Sequence, residues 1–502
     1  MSKKTRPALN ALSLLLFSVS ALAADDLHVF TNTLGRTIRG KLIGTANGQV
    51  SVLREDGKQV TFPLAMLSAA DQDYVKSASA SAASSPGAPA TPVTSKFAAG
   101  PNDKVAPEQV NAAVGVAMFG EAPLWESAAS EVAEKVSLRE ESKTKTQSSY
   151  RLYPKDDLQM FGAHPYSVAL YAENDKVTSL SLVFANKGDL FSAKGGGELH
   201  FDKDTPPAEA AKIVKTAMDK DIAAISATLS KALGQPRKER FGEGKSGVGR
   251  MNMQRWDWRG HAILLAEAEG EYVGIQIVTQ ALADAGGKVP RTSDMVIRAH
   301  AKSNIENREN GDVVINDIPM VDQGPKGYCV PATAERAMRF MGVPADMYVL
   351  ANAGGTGYGG GTSVDMLLQG VGQLIRAKSR SFDSWDGPIK LKDIEKYVNK
   401  GVPIMWALFS SEKFNDTANE RTADRKQTTD WAKWKTHVTD AAAMSLLPKD
   451  KESAHVALII GYNKTTGEIA FSDSWGERYK ERWITVTEAE QVSQQRFYVV
   501  GF

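Results

Sequence analysis

Apolar and polar positions repeat with two different periods along the chain, and the changes of period mark its organisation. Between His28 and Phe62 the apolar residues come in short alternating runs: Val29 and Phe30, then Ile38, Leu42 and Ile43, then Val50, Val52 and Leu53, then Val60 and Phe62. Asn47-Gly48 and Asp56-Gly57 separate these runs, and such pairs suit tight hairpin turns because their central residues take positive φ. The pattern predicts a small antiparallel barrel at residues 24–76, closing with Leu67-Ser68 and a short helical stretch through Asp71 and Tyr74. Residues 77–95 hold only Ser, Ala, Pro, Gly, Thr and Val, the composition of a flexible linker. Beyond it, residues 105–300 mix the two periods. Helical spacing covers Glu108–Met118 and Ala128–Val136, and a long amphipathic helix follows Pro206-Pro207 with Val214, Met218, Ile225, Leu229 and Leu233 on one face. Strand-like runs cover Ser179–Phe184, Met251–Trp258, Ala262–Ala266 and Tyr272–Val278. The last region, 310–502, combines a helix after Cys329 with two strands, one starting at His455 and the other spanning Glu468–Phe471.

Composition narrows the function classes. The chain has 502 residues, 42% hydrophobic and 24% charged, which excludes whole-chain disorder, collagen and coiled coil. Lys+Arg at 60 balances Asp+Glu at 59, so no strong field favours nucleic acid or an anionic membrane. A single cysteine excludes a disulfide framework and any Cys-rich zinc site. At the N-terminus Lys3, Lys4 and Arg6 precede an apolar run from Ala11 to Ala23 that ends in Ala21-Leu22-Ala23. This is the layout of a secretory signal peptide, too short for a membrane span. Cleavage after Ala23 and a secreted or periplasmic protein with no membrane span are expected.

The 24–76 segment, with its G-R, two turns, V-x-F-P-L, L-S and D-x-x-Y spacing, resembles the SH3-like homology domain of the Sla family of adaptors. The resemblance implies a binding or scaffolding module and an envelope protein partner. The same pattern also fits an unrelated five-stranded barrel. The 105–300 region carries no recognisable motif. His164, His200 and His261 are isolated there and lack ligand spacing, so they read as structural.

Chemistry concentrates near the C-terminus. Cys329 lies in I-P-M-V-D-Q-G-P-K-G-Y-C-V-P-A-T-A, and Pro331, Ala334, Ala337, Met338 and Met341 predict a helix that starts at the cysteine. Amides at a helix N-terminus stabilise a thiolate and lower its pKa. Taken alone, Cys329 fits equally well a small buried hydrophobe. A thiol nucleophile needs a base, and the base an orienting group. His455 opens the apolar run A-H-V-A-L-I-I-G-Y, and a turn at Thr465-Thr466-Gly467 leads back through a strand to Asp473. A hairpin of this length can set Asp473 beside His455, where its carboxylate accepts the imidazole N–H.

Q-G-x-x-G-x-C at Gln323–Cys329, H-V-A-L-I-I-G-Y at His455 and D-S-W-G at Asp473 together resemble papain-like cysteine peptidases, over about residues 315–502. They are similar to the bacterial branch related to double-glycine leader peptidases, where aspartate replaces the asparagine of papain. The resemblance implies Cys329 as nucleophile, His455 as general base and acid, and Asp473 as the residue orienting His455. It implies Gln323 and the Cys329 N–H as oxyanion donors, Trp475 as a shield over the His–Asp pair, and Gly327 and Tyr328 beside Trp475 at the substrate cleft. The substrate would be a protein or peptide, with no cofactor or metal. Val330 stands where papain-type enzymes carry Trp, flanking disulfides are absent, and no transporter segments accompany the domain.

Other patterns read as decoys. Gly355–Gly360 fits G-x-G-x-x-G without a preceding strand in a βαβ unit, so it reads as a loop before the helix Ser363–Leu374. Trp431 and Trp434 read as a packed helix face, and His437 lacks the strand context of His455. The expected architecture is multidomain α+β: a small SH3-like β-barrel, an α+β middle domain and a papain-like α+β C-terminal domain. The expected activity is peptide hydrolysis through an acyl-enzyme. Cys-His-Asp also serves amidases and transglutaminases acting on cell-wall peptides, and a non-catalytic envelope adaptor or a pro-region at 24–300 would fit the same layout.

Overall fold

The computed structural model describes residues 27–82 and 100–502 other than 34, 47–48, 55–58, 156, 193–200 and 203. The expected signal segment, both hairpin-turn pairs, residues 83–99 of the linker expected over 77–104, and His200 lie outside the described residues. Among the described residues no helix is long and apolar enough to cross a membrane. The chain divides into two compact units, Met1–Thr94 and Ser95–Phe502.

The first unit holds strands β1 (His28–Thr31), β2 (Thr37–Ala46), β3 (Gln49–Arg54) and β4 (Gln59–Pro63), paired antiparallel in that order. The sheet is not closed into a barrel, contrary to the expected SH3-like barrel. A fifth strand is reduced to one residue. After Pro63 the chain takes a 3-10 turn, Leu67 makes a single antiparallel bridge to Asn32, and the helix Ala69–Ala82 begins at once. That helix continues through the Ser/Ala run expected as linker, in keeping with the high helix propensity of alanine. Asp71 ties it back to the sheet, accepting from the Thr31 N–H at 2.7 Å and the Ser68 hydroxyl at 2.8 Å and pairing with His28 Nε2 at 2.7 Å. Phe30, Val50, Val52, Leu67 and Val75 form the small core.

The second unit contains both the 105–300 and the 310–502 regions. The first builds one eight-stranded antiparallel sheet from β5 (Arg139–Lys143), β6 (Gln147–Leu152), β7 (Ser167–Glu173), β8 (Lys176–Asn186), β9 (Arg237–Gly242), β10 (Arg250–Trp258), β11 (His261–Ala268) and β12 (Tyr272–Thr279). Its order is β5-β6-β7-β8-β12-β11-β10-β9. The helix Pro207–Leu233 covers one face through Val214, Met218, Ile225 and Leu229, which pack with Trp256, Trp258, Ile263 and Ile275. The other face meets the helices Cys329–Phe340 and Met347–Ala353 from the C-terminal region. There Met251, Met253, Leu264 and Tyr272 pack with Tyr328, Ala332, Met347 and Tyr348. This explains the unbroken apolar run of β11. Ile263 and Leu265 point to one buried face, while Ala262, Leu264 and Ala266 point to the other.

Hydrophobic alternation does not predict β5 or β6. Apart from Tyr150, their buried positions are polar: Glu141, Ser142, Ser148, Ser149 and Arg151. They form a network in which Arg151 Nε donates to Glu141 Oε1 at 2.6 Å and Arg151 Nη1 to Ser167 Oγ at 3.2 Å. The expected structural histidine His261 is enclosed, with Nε2 accepting from the Leu124 N–H at 3.1 Å and Nδ1 facing the Trp258 carbonyl at 3.1 Å. Burial pulls its pKa down to about 4, so it is neutral.

The C-terminal region has a second sheet, from β13 (Ile305–Asn307), β14 (Asp312–Ile315), β15 (Ser381–Asp386), β16 (Ile404–Phe409), β17 (Ala454–Asn463), β18 (Glu468–Ser472), β19 (Arg482–Thr485) and β20 (Ser493–Gly501). The order is β13-β14-β17-β16-β20-β15, with β18 pairing both β17 and β19. The helix Cys329–Phe340 packs Val330, Ala334, Ala337 and Met338 into the core beneath this sheet.

Candidate active site

Cys329 is the first residue of its helix and is partly exposed. The underside of the helix is tied to the sheet. Thr333 Oγ1 donates to the Val456 carbonyl on β17 at 3.0 Å, and Arg336 Nη2 donates to Ser472 Oγ on β18 at 2.5 Å. The helix N-terminus therefore sits over the strands that carry the two partner residues.

His455 lies at the start of β17, paired with Leu408 of β16. Asp473 follows the last residue of β18, and the hairpin brings His455 Nε2 to 2.9 Å from Asp473 Oδ1. The other imidazole nitrogen is left for the thiol, which also receives the backbone N–H groups of Val456 and Val330. The electrostatics follow from this row. Burial pushes the Cys329 thiol up, but the hydrogen bond and charge of His455 outweigh it and hold the thiol below its ordinary value of 9.0. Burial pulls His455 down, and Asp473 and Cys329 together lift it to about 9. The two shifts run in opposite senses, thiol down and imidazole up, the direction that favours an ion pair between a cysteine and a histidine.

Sequence reasoning missed the residue behind Asp473. Arg482, on β19, donates to Asp473 Oδ2 through Nε at 3.0 Å and Nη2 at 2.5 Å. Its Nη1 reaches Asn415 Oδ1 at 3.0 Å and Asn419 Oδ1 at 3.3 Å. Burial opposes the charge on Asp473, yet Arg482 and His455 keep it ionised, with its pKa below the usual 3.8. The one signal in the sequence was an arginine inside the apolar run R-W-I-T.

Trp475 lies across the His455 ring, with centroids 4.7 Å apart and planes tilted by 32°. Gln323 is buried and its backbone N–H donates to the Ser474 carbonyl at 2.9 Å. One hydrogen of its side-chain amide goes to the Lys326 carbonyl at 3.1 Å, and its Oε1 has no partner among the described residues. Gly327 bridges to Gly360, and a Cβ there would lie 3.0 Å from the Gly360 Cα. The glycine-rich loop thus runs against the approach to Cys329, with backbone packing that side chains would block.

Tyr328 departs from expectation. It is only 2% exposed, its ring pressed against Gly188 of the middle region, so its side chain lies in the shared core rather than at a cleft. Trp434 donates to Glu468 Oε2 at 3.0 Å and is buried, and His437 packs on it, which removes both from the site.

Residues 315–500 match the Peptidase_C39 like family. The match supports a C39-type peptidase domain at the C-terminal end of the chain, and a peptidase implies a protein or peptide substrate. It contains Cys329, His455, Asp473 and Arg482, and leaves the first unit and the middle sheet outside it. No curated protein matches the chain.

Proposed function

We propose that residues 310–502 form a cysteine hydrolase that cleaves peptide bonds. The observation that carries the reading is the row from Cys329 through His455 to Asp473, in a domain that matches a peptidase family. The Cys329 thiolate attacks the scissile carbonyl carbon, and the carbonyl electron pair moves to oxygen. The second amide hydrogen of Gln323 and the Cys329 N–H serve that oxyanion. The His455 imidazolium gives its proton to the leaving amine, leaving a thioester on Cys329. His455 then removes a proton from water as the water attacks, and the acid leaves with the thiol restored. Asp473 holds the imidazole orientation throughout. Action outside the cytoplasm and an envelope partner for the N-terminal sheet belong to the same proposal, supported by the signal-like N-terminus and the Sla-type spacing.

The test is alkylation of the single cysteine by limiting iodoacetamide at pH 6. Wild type should react fast, and His455→Ala should slow the reaction by about 100-fold or more, because an ordinary thiol is almost fully protonated there. Wild-type labelling at the rate of an ordinary thiol, unchanged by the substitution, would rule the reading out.

A further inference from the structure

Lys326, three residues before the nucleophile, has its side chain fully enclosed. Its Nζ lies 3.1 Å from Asp189 Oδ1, and 4.5 Å, 5.1 Å and 5.4 Å from the ring centres of Tyr153, Tyr348 and Tyr328. Tyr348 also donates to the second oxygen of Asp189 at 3.2 Å. Asp189 and Tyr153 come from the middle region, and the others from the C-terminal one. A buried ammonium costs several kcal/mol unless it is paired, so this one carboxylate and three ring faces hold it in place.

The backbone of Lys326 passes that restraint to the site. Its carbonyl accepts from Gln323 Nε2 at 3.1 Å and from the Tyr328 N–H at 2.9 Å. It therefore sets both the Gln323 amide and the turn into Cys329. The rest of the approach loop is held from the same side. The Met320 N–H donates to Ser142 Oγ at 2.9 Å and the Asp322 N–H to Glu141 Oε1 at 2.8 Å. Tyr153 donates to the Asp322 carbonyl at 2.5 Å and Ser192 to the Pro325 carbonyl at 3.3 Å. Gly324 has φ +70° and sits where a Cβ would come within 2.7 Å of the Tyr153 ring.

We propose that Lys326 and Asp189 are a positioning pair through which residues 105–300 hold the approach loop in register with His455. The middle region is then a permanent half of the active site and not a detachable pro-region. The inference rests on the cysteine-hydrolase reading above. It is tested on the full chain with Asp189→Asn and Lys326→Met, following iodoacetamide alkylation from pH 5 to 10 and amide exchange across residues 320–329. Both variants should stay folded. The thiolate limb of their alkylation profile should move up by about one pH unit, a tenfold fall in rate at pH values well below that limb. Exchange in 320–329 should accelerate while β16 and β17 exchange as in wild type. Should one variant fail to fold, the other decides. Unfolding of both would make the pair purely structural and overturn the positioning role. A fast, His455-dependent thiol unchanged in both variants overturns the pair alone. A wild-type thiol that is ordinary and indifferent to His455→Ala overturns the hydrolase reading and the pair with it.

Discussion

His455 and Asp473 sit at the ends of adjacent strands of one sheet, and the groups behind Asp473, namely Arg482, Asn415 and Asn419, come from the same domain. The loop on the other side of Cys329 is built differently. Met320, Asp322, Pro325 and Lys326 take their partners from residues 142, 141, 153, 192 and 189, far away in sequence and in the middle region. One flank is local hairpin geometry, and the other is an interface. The first forms with its domain, whereas the second exists only when two hydrophobic cores are joined through Tyr328, Ala332 and Met347. The peptidase-like region and the sheet before it therefore act as one body.

The largest loss is expected on the His455 side. Arg482→Met leaves the Asp473 carboxylate buried beside His455 with its second oxygen unpaired. Removing one member of a buried ion pair costs about 3–5 kcal/mol, so chemical denaturation should show a loss of that size. A change below about 1 kcal/mol would mean water replaces the arginine.

The interface side carries its own large effect, and it depends on pH. Glu335, on the helix of Cys329, is enclosed against β6 and β7 and accepts from Tyr171 and Arg339, each at 3.3 Å. Burial raises its pKa from 4.5 to about 7. The folded chain thus holds this proton more tightly than the unfolded one. Its contribution is intact below about pH 4.5 and is lost as pH rises toward 7. Glu335→Gln, which mimics the protonated form, should match wild type at pH 4.5 and exceed it by on the order of 3 kcal/mol at pH 8. An equal difference at both pH values would refute the assignment.

Tyr153→Phe probes the same interface more gently. It removes one hydroxyl from the Asp322 carbonyl and leaves the ring under Gly324. A loss of about 1 kcal/mol is expected, with faster amide exchange in 322–328 and unchanged exchange in β17. The smallest effect belongs to the decoy base. His437→Ala should change Cys329 alkylation by less than about twofold, since His437 packs on Trp434 away from the thiol. A larger drop would move His437 into the site.

Much of this was legible before any coordinates. Helical spacing located Pro207–Leu233, and apolar runs located β10, β11, β12 and β17, because one or two buried faces impose a period on the residues. The contact of His455 with Asp473 was legible for a related reason: a hairpin converts a short sequence separation into a predictable contact. The barrel was not. Alternation predicts strands, whereas closure depends on whether the chain after Pro63 extends or coils, and here a helix begins at Ala69.

Which segments bury an apolar face, and the meeting of His455 with Asp473 across a hairpin, were readable from the residues alone. Only the tertiary structure decided what supports them: Arg482 behind Asp473, the polar strands β5 and β6, and Asp189 opposite Lys326. The physical reason is that apolar burial is non-directional and leaves a periodic trace along the chain. A buried charge needs one partner at one distance, and that partner can come from any part of the chain.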